Sequence, residues 1–187
     1  MRVTPTRLPS VMIVEPQVHG DARGFFLETY HQHKYREAGI PEAFVQDNHS
    51  HAMRRTLRGL HAQQLRPQGK LVRAVKGEMF DVAVDIRVGS PSFGRWVGVV
   101  LSGENFRQLY IPPGFAHGFC VTSDEVDVEY KCTDFYEPGD EIGIAWNDPE
   151  IGIEWPLQDP LLSPRDQQAK HLAAVLDRLP RYEPASI

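Results

Sequence analysis

Over most of the chain, apolar and polar positions follow a strand pattern. Phe80-Asp81-Val82-Ala83-Val84-Asp85-Ile86-Arg87 alternates almost without a break. Phe80, Val82, Val84 and Ile86 share one face, and Asp81, Asp85 and Arg87 share the other with Ala83, the period-two signature of a strand. Similar short runs over residues 11–15, 25–30, 43–48, 56–63 and 70–75 precede it. Further runs over 96–101, 107–111, 115–122 and 126–133 follow, with Gly, Pro, Ser or Asp between them. Residues 31–38 fit a short helix ended by Gly39 and Pro41. Residues 168–179 fit a longer one, with Leu172, Val175, Leu176 and Leu179 at helical spacing. The central region has no room for crossover helices, so the pattern predicts an all-β sandwich or barrel and not a doubly wound sheet.

Length and composition narrow the class. A chain of 187 residues is most simply one domain over 1–187. Residues 157–187, set off by Trp155-Pro156, form a C-terminal segment expected to pack back on the sandwich. Residues 183–187 are expected to be loosely ordered. A net charge of −5 argues against a nucleic-acid or membrane-surface protein, which usually carries basic excess. No apolar run approaches a membrane span and the N-terminus lacks a signal-peptide pattern, so cytoplasmic residence is the expectation. Cys120 and Cys132 sit in apolar strand patterns without CxxC spacing and read as reduced, structural thiols.

Candidate chemistry centres on Thr56-Leu57-Arg58-Gly59-Leu60-His61-Ala62-Gln63, an apolar strand that carries an arginine and a histidine. A lone strand histidine is more often a satisfied core residue than a functional one. Here Arg58, Gln63 and Lys70 lie close by in sequence. Buried charges need partners or a ligand, so the cluster points to an anion-binding cavity. Strict alternation puts Arg58 and His61 on opposite faces, and a bulge at Gly59 would bring them together. Pro112-x-Gly114-x-x-His117 resembles the second half of a cupin metal signature. Its first half keeps only His61, in His61-Ala62-Gln63, where metal-binding cupins usually have His-x-His, so no metal site is expected. Tyr130 sits on an apolar strand face, where neighbouring positive charge would lower its pKa. Asp166 by itself reads as a helix N-cap candidate.

Taken together, the motifs resemble the dTDP-4-dehydrorhamnose 3,5-epimerase family. They include Asp21-x-Arg23-Gly24-x-Phe26-x-Glu28, Gln46-Asp47-Asn48-x-Ser50, Leu57-Arg58-Gly59-Leu60-His61 and the strand Phe80 to Arg87. Gly89-Ser90-Pro91-Ser92-Phe93-Gly94-x-Trp96, Gly114-Phe115-Ala116-His117-Gly118-Phe119 and Trp146-Asn147-Asp148-Pro149 complete the set. The similarity runs over about residues 11–169. It implies a cupin-type jelly roll with short peripheral helices and a C-terminal helix, acting without cofactor or metal on dTDP-4-dehydro-6-deoxyglucose and inverting C3 and C5. By the same analogy His61 is the base, Tyr130 the acid on the opposite face, Asp166 the carboxylate that fixes the His61 tautomer, and Lys70 the cation for the C4 oxygen. Arg23, Arg58 and Arg165 are assigned to the diphosphate, and Phe26 and Tyr136 to the nucleoside. Glu28, Gln46, Asp47, Asn48, His117 and Glu141 are assigned to the polar lining. The resemblance further implies a homodimer with exchanged N-terminal strands, so that some of the contacts of residues 23–28 come from the other subunit.

Two positions depart from the common family pattern. Arg55-Thr56 stands where many members have Gly-Val, and Ala62 where many have an aromatic residue, which would alter the wall beside His61. The readings that compete with a 3,5-epimerase are a 3- or 5-only epimerase of another dTDP-4-keto sugar, a metal-dependent cupin oxygenase, and a non-catalytic nucleotide-sugar-binding jelly roll.

Overall fold

The computed structural model describes residues 1–183; the expectation of loose order at 184–187 falls outside the described residues. The described residues form eleven strands: β1 (Arg2–Pro5), β2 (Met12–Glu15), β3 (Val18–Asp21), β4 (Gly24–Leu27), β5 (Gln46–Met53), β6 (Leu57–Gln63), β7 (Lys70–Asp85), β8 (Trp96–Ser102), β9 (Gln108–Ile111), β10 (Phe115–Cys132) and β11 (Glu141–Gly143). Two helices accompany them, α1 (Gln32–Glu37) and α2 (Pro164–Gln167), with short 3-10 helices at Pro138–Asp140 and Leu172–Arg178. The order β1-β2-β9-β7-β10-β6-β11, with β5 on β10 and β8 on β7, folds into the cupin-type jelly roll. The β3–β4 hairpin forms a sheet of its own.

β7 and β10 are longer than the runs predicted within them. Gly77 and the polar stretch after Val121 look like chain breaks, but the sheet absorbs them. Val121 pairs with Met79 and Val126 with Gly77, so residues 122–125 bulge out of one unbroken β10. β10 pairs with β6 near its start, with β5 near its end and with β7 along both parts, so side chains from these strands are placed relative to one another by shared ladders.

Alternation along β7 has the two faces predicted, and both are buried. Val82, Val84 and Ile86 join Leu60, Ala62, Ala116, Ile142 and Ile144 under Leu172, Val175 and Leu179 of the C-terminal segment. Met79 and Ala83 face the interior with Val72, Val99, Leu109, Phe119 and Val128. The interior face is therefore the one that carries Asp81 and Asp85, both fully buried. Asp85 is satisfied by Arg87, Ser90 and Ser92. Burial opposes its ionisation, but these donors outweigh it and hold the carboxyl below the usual range. A third cluster, Val14, Tyr35, Ile40, Leu71 and Tyr110, seats α1 on the outer side of the other layer.

The long helix predicted over 168–179 is not formed. α2 stops at Gln167, Ala145 N–H donates to the Lys170 carbonyl, and a 3-10 helix occupies Leu172–Arg178. The cross-chain bond at Lys170 forces an extended link where an α-helix would need its own i to i−4 bond. The apolar spacing then follows a period of three: Leu172 and Val175 are buried, while Leu176 is 45% exposed.

Candidate active site

His61 and His117 lie directly opposite each other on β6 and β10. Between this pair and the next, Arg58 with Phe119, β6 spends one residue more than β10, so the strand is bulged at Gly59 and Leu60. Gly59 has φ +107, and a Cβ there would lie 2.6 Å from the His117 carbonyl oxygen, so the position accepts only glycine. The bulge turns Arg58 and His61 onto one wall, as the motif required.

That wall borders a cavity of about 500 Å³. Each layer supplies side chains at alternate positions: Asn48 is registered against Tyr130, Gln46 against Cys132, and Cys132 against Lys70. Of the residues assigned from the family resemblance, His61, Tyr130, Asp166, Lys70, Gln46, Asn48, Arg58, His117, Tyr136, Glu141 and Arg165 all line this one cavity. Four others do not. Asp47 pairs with Lys131 and lines a neighbouring cleft of about 260 Å³ that shares Asn48 and Tyr130 with the cavity. Arg23, Phe26 and Glu28 sit on the β3–β4 hairpin or just beyond it, where Arg23 pairs with Asp21, Glu28 pairs with Lys34, and Phe26 is 70% exposed.

Asp166 reaches His61 from the far end of the chain. The Leu161 N–H donates to the Arg55 carbonyl and the Leu57 N–H to the Leu161 carbonyl. Beyond α2, the Ala145 bond to Lys170 ties down the other side. Between these tethers Ser163 caps α2, accepting from the Asp166 N–H and donating to Asp166 Oδ2. Asp166 is thus the third helical residue and not the cap. Its free Oδ1 lies 2.6 Å from His61 Nε2. Burial opposes ionisation of Asp166, but the bonds from His61 and Ser163 prevail and hold its carboxyl below the usual aspartate range.

The other face of the imidazole is also flanked by acid: Glu141 Oε1 lies 3.5 Å from His61 Nδ1. Glu141 Oε2 accepts from Tyr136 Oη and Arg165 Nη1, each at 2.7 Å. His117 has its own carboxylate, with Nε2 2.7 Å from Asp81 Oδ1. Each imidazole is committed to a separate carboxylate, and among the described residues no group of three or more His, Cys, Asp or Glu is arranged to hold a metal ion.

Tyr130 corrects an expectation. Burial raises the phenol's pKa, with Cys132 acting the same way, and Arg58 offsets this only in part. The cationic neighbour does not win because its charge is exposed, whereas the ring is desolvated. Burial also lowers the Lys70 amine from the usual lysine range, against the pull of Cys132, Glu141 and Asp81. Ala62 borders the cavity beside His61 and also packs with Leu60 and Ile142 in the cluster under the C-terminal segment. Arg55 lies outside the cavity and donates to the Asp159 carbonyl, which helps hold the segment that carries Asp166.

Comparison with known proteins decides the lineage. A profile of the dTDP-4-dehydrorhamnose 3,5-epimerase family matches residues 5–174. The enzyme of that name from Pseudomonas aeruginosa is 58% identical over 92% of this chain and 97% of its own. The chain belongs to the dTDP-4-dehydrorhamnose 3,5-epimerase family. The Shigella flexneri member is 59% identical over 89% of this chain and 93% of its own. The dTDP-6-deoxy-D-glucose-3,5-epimerase of Legionella pneumophila, solved in complex with dTDP-4-keto-L-rhamnose, superposes with a TM-score of 0.96 at 51% identity, covering 98% of this chain and 99% of that one. The members are isomerases, and in this chain a His61–Asp166 pair stands on the cavity wall.

One contributor escaped the sequence reading. Asp81 was visible as a charge on the alternating strand, but nothing in the pattern said that its face pointed inward. Gln63, read with the cavity cluster, does line the cavity and also ties loops together: its amide donates to the Arg66 and Phe135 carbonyls and its oxygen accepts from Glu137 N–H.

Proposed function

We propose that the protein inverts C3 and C5 of dTDP-4-dehydro-6-deoxyglucose without a cofactor, giving dTDP-4-dehydrorhamnose. Both carbons flank the C4 ketone, so removing either proton leaves an enolate whose charge rests on the C4 oxygen. The observation that carries the reading is the His61–Asp166 pair beside Tyr130 and Lys70 in one cavity. With Nε2–H donated to Asp166, the lone pair of His61 is on Nδ1, and this nitrogen takes the proton. Burial keeps Tyr130 protonated at neutral pH, ready to deliver its proton to the opposite face of the enolate. Lys70 supplies positive charge for the C4 oxygen, and its partial desolvation strengthens that interaction.

Arg58 and Arg165 suit the diphosphate, since guanidinium forks match phosphate oxygens. Tyr136 lies at the mouth, where a ring can stack on thymine, and Gln46, Asn48 and His117 complete the polar lining. The exposed β3–β4 hairpin, which among the described residues forms a sheet of its own, supports a homodimer in which Arg23, Phe26 and Glu28 of one copy approach the cavity of the other. No helix among the described residues is long and apolar enough to cross a membrane, and a dTDP-sugar substrate fits a cytoplasmic enzyme.

The test is incubation with dTDP-4-dehydro-6-deoxyglucose in deuterated water, with deuterium read separately at C3 and C5. A parallel sample includes the downstream reductase and reads nicotinamide oxidation. Exchange at both carbons with dTDP-rhamnose formed is the expected result. Exchange at one carbon alone makes the protein a mono-epimerase, and exchange at neither removes the epimerase reading.

A further inference from the structure

Inverting two carbons of one bound sugar uses the same base and the same acid twice. After the first inversion His61 Nδ1 holds the proton taken from carbon, and Tyr130 has given one up. Neither can act again until reset. Asp166 cannot relieve His61, because it already accepts from Nε2–H on the other side of the ring. The acid group facing Nδ1 is Glu141, whose Oε1 lies 3.5 Å away. The register fixes this approach: on β11, Glu141 pairs with Gln63 and Gly143 with His61, so the carboxylate rises from the strand next to the base. Tyr136 and Arg165 occupy Oε2, which leaves Oε1 as the oxygen free to receive a proton. The Glu141 side chain is only 8% exposed, while Tyr136 beside it is 46% exposed. The imidazole itself is 28% exposed, so Glu141 is the more buried of the two, and its route to solvent runs past Tyr136 at the cavity mouth.

We propose that Glu141 resets His61 between the two inversions, an inference that rests on the 3,5-epimerase reading above. In the first inversion a C–H bond breaks, its electron pair enters the enolate, and an N–H bond forms at Nδ1. The Tyr130 O–H then breaks as a C–H bond forms on the opposite face. In the reset, the Nδ1–H bond breaks with its pair staying on nitrogen, and an O–H bond forms at Glu141 Oε1. Glu141 passes this proton to water at the mouth, and water returns one to the Tyr130 phenolate, so no proton is gained or lost overall. Tyr136 and Arg165 act as positioning residues that keep Oε1 turned toward the ring.

The experiment compares wild type, Glu141→Gln and Glu141→Asp in single turnover, resolving the singly and doubly inverted sugars. Glu141→Gln keeps the shape and the bonds to its neighbours but cannot accept the proton. Its ratio of singly to doubly inverted product is expected to rise about 100-fold, the low end of what a placed acid–base group contributes. Added formate or imidazole should bring the ratio back toward wild type in a Glu141→Ala variant, and Glu141→Asp should fall between wild type and Gln. A proportional fall of both inversions, with no change in ratio and no rescue, overturns the proposal and leaves Glu141 as a wall residue. The wild-type arm separates the two levels: if it inverts a single carbon or none, the epimerase reading fails first.

Discussion

The cavity holds two histidine–carboxylate pairs, built from opposite positions of one ladder and nearly equal in length, at 2.6 Å for His61–Asp166 and 2.7 Å for His117–Asp81. They differ in where the carboxylate comes from. Asp81 stands on β7, the strand adjoining His117, and is fully buried, leaving only 9% of the His117 side chain accessible. Asp166 arrives from α2 at the far end of the chain and meets His61 from behind, so 28% of that imidazole stays open to the cavity. A sheet-borne carboxylate locks its histidine into the wall. A carboxylate carried on a tethered segment orients its histidine and leaves the Nδ1 edge open to the cavity, beside Glu141. The same pair of residues thus becomes structure in one place and candidate base in the other.

The largest expected effect comes from removing the open imidazole. His61→Asn should lower turnover by about 10³- to 10⁴-fold, the upper range for a general base, with dTDP affinity kept within a few-fold by calorimetry. If turnover survives, His61 is not the base and the contrast loses its functional half. Next come the two carboxylates. Asp166→Asn should cost about 100-fold in turnover, because an amide can hold the ring in the wrong tautomer. Asp81→Asn should instead cost about 1–3 kcal/mol of stability in denaturant melts, through a disturbed buried hydrogen bond, with a smaller loss of turnover. Equal kinetic losses in the two variants would make the pairs equivalent. The smallest effect is in acid. The folded state holds the Asp166 pKa below its unfolded value, near 3.8. Its contribution is therefore present above pH 3.8 and lost as pH falls through the lower folded value. Comparing acid unfolding of wild type and Asp166→Asn should show a shallower acid limb in the variant; identical limbs would mean that the pair contributes nothing to stability.

Much of this was legible in the chain. The alternation from Phe80 to Arg87 gives strand and faces, since side-chain direction is set locally by the pleat. Gly59 announced its bulge, because a positive φ and a backbone-to-backbone approach both select glycine. The ordered motifs disclosed the family and with it Asp166, which local pattern alone read as a cap. The reading failed where local signals meet distant partners. Gly77 and residues 122–125 look like strand ends, yet β7 and β10 run on because each supplies the other's ladder. The helix drawn over 168–179 gave way to an extended link and a 3-10 helix, since Lys170 is claimed by Ala145.

The sequence by itself determined the β architecture, the placing of glycine at the bulge and the identity of the catalytic candidates, all properties of short windows or of motif order. Only the tertiary structure decided that the acidic face of β7 points inward, that Asp81 belongs to His117, and that Glu141 faces the remaining nitrogen of His61. Those pairings join residues 36 apart for Asp81 and His117 and 80 apart for His61 and Glu141, and periodicity carries no information about which surfaces meet when the sheets close.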